Sequence, residues 1–176
     1  FKTSFGADYN NLYRRSFSPK YDEINASEKL SGLSNRNAWN FNWVFTNTLN
    51  YTKTFGDHTI NALLGMESLR NRYEYFTASR DGFPSDDPNF HFLDAGDVGT
   101  QKNSGSATEY SMVSYFGKID YNYHDRYLVA FTLRRDGSSR LGNNKWGNFP
   151  AASVGWRISN EPFFDVEAIN NLKLRV

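Results

Sequence analysis

The sequence predicts an all-β fold, an antiparallel segment of a transmembrane β-barrel, and three observations lead there. Apolar and polar residues alternate with period two over stretches of about ten residues, the length of a membrane-crossing strand. The chain holds 15 Phe, 11 Tyr and 4 Trp, 17% aromatic in all, yet its mean hydropathy is −0.68. A sheet with one greasy face, one wet face and long polar loops reconciles those two facts. Finally, long and short connections alternate along the chain. In an antiparallel sheet that places the long loops at one end and the short turns at the other, the asymmetry of an outer-membrane barrel.

The first strand sets Phe1, Thr3, Phe5, Ala7 and Tyr9 against Lys2, Ser4, Gly6, Asp8 and Asn10. Residues 14–37 then lose any sustained period and carry Pro19, Gly32 and many Ser and Asn, so they read as a long loop. The next strand puts Trp39, Phe41, Trp43, Phe45, Leu49 and Tyr51 on one face, broken only by Asn47. Its other face holds Asn40, Asn42, Thr46, Thr48, Asn50 and Thr52, with Val44 the exception. A short turn at Phe55-Gly56-Asp57-His58 leads to a strand whose row is Ile60, Ala62, Leu64 and Met66. A second long polar loop is expected over 77–108, with Asp81, Asp86, Asp87, Asp94 and Asp97.

The cleanest hairpin follows. Tyr115, Gly117, Ile119, Tyr121 and Tyr123 share one face, and Phe116, Lys118, Asp120, Asn122 and His124 the other. After a short turn at His124-Asp125-Arg126, Tyr127, Val129, Phe131 and Leu133 resume the apolar row. A medium loop over 137–148 precedes a strand with Ala152, Val154, Trp156 and Ile158 on one face. A connection over 159–170 leads to a last strand at Leu172, making about seven strands. Tyr51, Phe55, Tyr121, Tyr123 and Tyr127 flank the short turns, while Trp39 and Trp43 fall near the long-loop end, as interfacial aromatic girdles would.

Composition excludes several functions. A net charge of +1 with scattered basic residues gives no electrostatic case for nucleic acid. Without cysteine there is no disulfide framework, thiol nucleophile or Cys-ligated zinc. No apolar run approaches the ~20 residues of a membrane helix. Both ends read as cuts through a longer protein.

Asp136-Gly137-Ser138-Ser139-Arg140 lacks the following helix that a phosphate loop needs. His58 and His124 fall at the opposite end from Ser138, so no base serves it as a nucleophile. The Asp cluster of 81–97 has no calcium-loop spacing and reads as a solvated loop. No catalytic residue, metal site or cofactor is expected. Asn40, Asn42, Asn50, Lys118, Asp120 and Asn122 would line a wet lumen, where they either hydrogen-bond a passing solute or are simply hydrated.

From residue 39 onward, an ordered set of motifs resembles the SusC/RagA family of TonB-linked outer-membrane transporters. It comprises Ser114-Tyr115-Phe116-Gly117-Lys118, Arg126-Tyr127-Leu128, Arg135-Asp136-Gly137-Ser138-Ser139-Arg140, Trp146-Gly147-Asn148-Phe149-Pro150-Ala151, Trp156-Arg157-Ile158-Ser159-Asn160-Glu161-Pro162-Phe163 and Leu172-Lys173-Leu174-Arg175. Leu141 stands where Phe is usual, and Ala151 where Ser is common.

The resemblance implies that 1–176 is a middle part of the barrel domain, with the plug domain and TonB-contacting segment outside the chain. It also implies an outer-membrane location and active import of an oligosaccharide or peptide. The implied partners are a SusD-like lipoprotein on the extracellular face, TonB in the periplasm and outer-membrane lipid. Two rival readings remain at this point: a soluble or surface β-sandwich that binds carbohydrate, and a secreted β-rich hydrolase.

Overall fold

The computed structural model describes residues 1–23, 26–28, 30–166 and 168–176. Its main element is one sheet of seven antiparallel strands. These are β1 (Lys2–Ser18), β4 (Gly32–Phe55), β5 (His58–Asp81), β6 (Lys102–Tyr123), β7 (Tyr127–Ser138), β8 (Trp146–Arg157) and β9 (Lys173–Arg175), neighbours in that order. A two-strand ribbon, β2 (Tyr21–Glu23) with β3 (Ala26–Glu28), sits within the first long connection. The sheet is not closed within this chain.

Register carries the predicted faces across strands. Tyr123 pairs with Tyr127, Tyr121 with Val129, Ile119 with Phe131 and Gly117 with Leu133. Tyr127 pairs in turn with Trp156, Val129 with Val154 and Phe131 with Ala152. Paired residues in an antiparallel ladder project to the same side, so β6, β7 and β8 present one continuous apolar face. The His124-Asp125-Arg126 turn that sets this register has positive φ at both His124 (55°) and Asp125 (54°). Paired positive φ matches the right-handed twist of the flanking strands, and Asp tolerates it better than most residues.

The chain falls into two compact units. The first comprises Phe1–Gly6, Trp43–Arg70 and Tyr110–Val176. The apolar face belongs to it, and nothing in the described residues covers that face. Ile119, Phe131 and Val154 keep 52%, 48% and 54% of their surface exposed, which is what a lipid-facing row requires and a soluble core forbids. Asn47, the break in the β4 row, is satisfied sideways: Thr3 Oγ1 donates to its Oδ1 at 2.6 Å. Phe5 stacks on Trp43, with ring centroids 6.5 Å apart.

The second unit comprises Ala7–Asn42 and Asn71–Glu109. It holds the three buried apolar side chains among the described residues, Leu33, Ala38 and Phe83. Ser31 fastens the connection after β5 to its surroundings. Its backbone carbonyl accepts from Gly82 N at 2.7 Å, and its hydroxyl accepts from Phe83 N at 3.1 Å. The Phe83 ring meets Phe17 edge-on at 5.7 Å, and Phe17 stacks on His91 at 3.7 Å. Three single 3-10 turns fold this connection (Pro88–Phe90, Leu93–Ala95, Val98–Thr100).

Both long loops are shorter than expected. The 14–37 region is strand through Ser18 and again from Gly32, and the 77–108 region narrows to 82–101. Residues 13–15 are exposed, as are 102–109. With both faces wet, these strand ends have no apolar side to alternate against, and ladder pairing alone sustains them. For the same reason Trp39 and Trp43 sit in the middle of β4 rather than beside a loop. The girdle at the short-turn end is as expected. Phe55 stacks on His58 at 5.1 Å, Tyr123 on Tyr127 at 6.3 Å, and His58 Nδ1 lies 2.7 Å from the Tyr121 hydroxyl.

Candidate functional site

The wet face of β6, β7 and β8 alternates with the apolar one, and here the side chains are small. Lys118 pairs with Thr132, Asp120 with Ala130 and Asn122 with Leu128, while Ala151 and Ser153 continue those rungs on β8. The short side chains leave a groove of about 440 Å³ lined by Lys118, Asp120, Asn122, Ala130, Ser153 and Arg175, among others. Lys118 Nζ meets Asp120 Oδ2 at 2.9 Å, and both side chains stay largely exposed. Asn122 donates to Asp125 Oδ1 at 3.2 Å, but its own Oδ1 is buried without a partner among the described residues. The groove therefore offers a cation and a carboxylate. Such a set can hydrogen-bond a polar solute.

The remaining lumen candidates divide. Asn71 Nδ2 donates to Asn40 Oδ1 at 2.8 Å and to Asn42 Oδ1, so those two carbonyls are clamped by a third amide. Asn50 is exposed on β4 and does not line the groove. Alternation on β5 did not single out Asn71, because a lone Asn among Arg and Tyr carries no periodic signal.

Ser138 lies opposite Met112 at the far end of the β6–β7 hairpin from the His124 turn, as the connection order predicts. Asp136 is engaged by Arg134 Nε at 2.8 Å, and Arg134 Nη2 also donates to Ser114 Oγ at 2.9 Å. Arg134, held by the DGSSR carboxylate, thus pins β7 to β6. The acidic loop residues act locally as well: Asp87 accepts from Asn89 N and Asp97 from Gly99 N, both at 2.9 Å. Among the described residues no three carboxylate or imidazole side chains converge as metal ligands would.

Two of the motifs interlock at the short-turn end. Arg157 Nη1 donates to Asp125 Oδ2, and Asn160 Nδ2 donates to the Asp125 carbonyl at 3.1 Å. The adjacent Arg126 approaches Glu161 at 3.6 Å, and the Trp156 indole donates to Glu161 Oε1 at 2.8 Å. Across the next turn, His124 Nε2 meets Asp57 Oδ2 at 2.8 Å. Hydrogen bonding to its charged form, from Trp156 first and Tyr127 next, holds Glu161 below the usual glutamate range against the opposing effect of burial. Arg126 adds to that lowering.

No family model matches the chain. TonB-dependent receptor P39 of Formosa agariphila is 36% identical over 178 residues, which is 99% of this chain and 17% of that protein. TonB-dependent receptor SusC of Bacteroides thetaiotaomicron is 33% identical over 140 residues, 78% of this chain and 13% of SusC. In the RagAB peptide importer, a matching structure superposes with a TM-score of 0.88 at 25% identity, over 98% of this chain and 19% of that one.

This chain is a segment of a SusC/RagA-like TonB-dependent receptor. It spans less than a fifth of each of these relatives. Within a SusC/RagA-like segment, the DRYL and WRI-x-x-E motifs have a shared physical role: they tie three neighbouring strand ends together through Asp125–Arg157 and Arg126–Glu161.

Proposed function

We propose that this chain is a wall segment of an outer-membrane barrel that imports a nutrient using energy from TonB. The observation that carries the reading is the exposed apolar row in register across β6, β7 and β8, uncovered by any second layer among the described residues. Open edges of backbone are not tolerated in lipid, so β1 and β9 pair with further strands in the whole protein. The short turns at 56–57 and 124–126 face the periplasm, and the connections 19–31, 82–101 and 139–145 face outward.

In this reading the β6–β8 groove and the Asn40–Asn42–Asn71 cluster line the lumen. The solute is an oligosaccharide or a peptide, chemistries that neutral amides and one ion pair can hydrogen-bond without tight retention. A SusD-like lipoprotein meets the outward connections. The RagAB peptide importer supports the peptide alternative. No reaction is catalysed.

Mass spectrometry of the intact native polypeptide from separated membrane and soluble fractions tests the proposal. A chain several times the 20.3 kDa of this segment, in the outer-membrane fraction, is the expected result. A soluble polypeptide of this size alone would refute it and favour a carbohydrate-binding sheet.

A further inference from the structure

In the second unit, Arg36 on β4 reaches two rings of β5. Its Nη2 donates to the Tyr73 hydroxyl at 3.1 Å, and its guanidinium carbon lies 4.0 Å from the centre of the Tyr75 ring. The two rings are 6.1 Å apart. Farther along the same two strands, Asn71 clamps Asn40 and Asn42. Even steps separate Arg36, Asn40 and Asn42 on β4, and Asn71, Tyr73 and Tyr75 on β5, so all six share one face. Trp39 and Arg72 are out of phase with them and meet on the other face, with the Arg72 guanidinium 5.6 Å from the Trp39 ring centre.

Arg36 is held in place without being neutralised. It is half-buried, as are Tyr73 and Tyr75. Among the described residues no carboxylate comes within ion-pair distance of Arg36, and Tyr73 is its one hydrogen-bond partner. Tyr75 covers a flat side of the guanidinium, and Tyr73 occupies one of its five N–H groups, so most of the in-plane fork is unused. Tyr73 accepts that bond, which leaves its own O–H free to donate. A charged fork and a phenol hydrogen thus stand side by side, oriented before any ligand arrives.

Hydroxyl groups follow along the same face. Ser34 precedes Arg36 by two residues, about 7 Å along the strand. It lines a pocket of about 370 Å³ together with Ser16, Ser18, Ser79 and Asp81, among others. Serine hydroxyls both donate and accept, which matches the hydroxyls of a sugar chain. A peptide backbone is captured instead by an open strand edge, and β4 and β5 each have a neighbour on both sides.

We propose that Arg36 and Tyr73 recognise a carboxylate of an acidic oligosaccharide, a sugar chain carrying uronate groups, with adjacent sugar hydroxyls turned toward the serine pocket. A carboxylate fits the guanidinium fork in its own plane, so stacking on Tyr75 continues undisturbed when the anion binds. This inference names a substrate class for the import reading above and rests on it.

The test is isothermal titration of the purified full-length protein with tetragalacturonate and tetramannuronate, each compared with its methyl ester. The expected result is that at least one acid binds about thirtyfold tighter than its ester, the worth of charge-assisted hydrogen bonds. That preference should disappear in Arg36→Gln. Tyr73→Phe, which keeps the ring and loses the O–H, should weaken the acid about tenfold and leave the ester unchanged. A heat-modifiable band on gels shows that each variant is a folded barrel. The proposal is overturned if no acid binds more tightly than its ester, or if the preference survives in folded Arg36→Gln. Tighter binding of a tetraglutamate peptide, lost in the same variant, also overturns it by assigning the site to peptides. A full-length protein recovered in the soluble fraction would instead refute the import reading itself.

Discussion

The indole Nε1 of Trp156 donates to Glu161 Oε1 at 2.8 Å, across the turn that ends β8. A buried carboxylate needs such donors, and Glu161 also has the Arg126 guanidinium at 3.6 Å. The contact holds the connection after β8 against the β6–β7 turn.

Its pH dependence follows from the direction of the shift. The native Glu161 carboxyl is held below its ordinary value, first by the Trp156 hydrogen bond. Its stabilising contribution is therefore complete above the ordinary glutamate value and disappears as pH falls through the lower native value. Trp156 emission in the full-length protein should hold steady through the ordinary glutamate range and change only in stronger acid. In Glu161→Gln that acid step should vanish. An acid step of the same size and midpoint in the variant would refute the assignment.

The two faces of β7 should respond oppositely to the same substitution. Phe131→Arg puts a charge in the middle of the apolar row and should cost about 2–4 kcal/mol of folding into vesicles. Thr132→Arg, one residue on, faces the groove and should stay within about 0.5 kcal/mol. Equal costs would contradict the lipid-facing assignment.

Phe83 should govern the connection that follows β5. Its buried ring contacts Phe17, and Phe→Ala at such a site removes about 3 kcal/mol or more. The loss should stay local, seen as faster hydrogen exchange and protease cleavage over 82–101, while the apolar band keeps its protection.

The groove ion pair should matter for uptake more than for stability. Lys118 and Asp120 are both well exposed, so Asp120→Asn should shift stability by about 1 kcal/mol at most. If the groove touches solute, uptake should fall about tenfold or more, the worth of one charge-assisted hydrogen bond to a solute. Unchanged uptake with unchanged stability would remove the groove from the transport path.

What the sequence disclosed depended on where water lay. From Tyr115 to Leu133 one face is apolar and the other largely polar, and the period-two pattern predicted the faces that the Ile119–Phe131 and Tyr121–Val129 rungs join. Strand ends at 13–15 and 102–109 are exposed on both sides, so their composition matched a loop although the ladder continues through them. The lumen candidates were legible as a face but not as a site. Alternation placed Lys118, Asp120 and Asn122 together, but not that Asn71 clamps Asn40 and Asn42, a contact between different strands with no periodic trace. The acidic cluster of 81–97 reads from its spacing as a solvated loop. Its work as local turn caps was visible only with coordinates.

The order β4-β5-β6-β7-β8-β9 follows the chain without a crossover. Each of these strands finds its partner in the segment made just before it, so the sheet can grow by laying one hairpin at a time against an advancing edge. No later strand has to be threaded between two already joined, and loop closure stays short at each addition. At any stage of assembly only the flanks await a neighbour, and the greasy side is complete, rung by rung, as far as growth has reached.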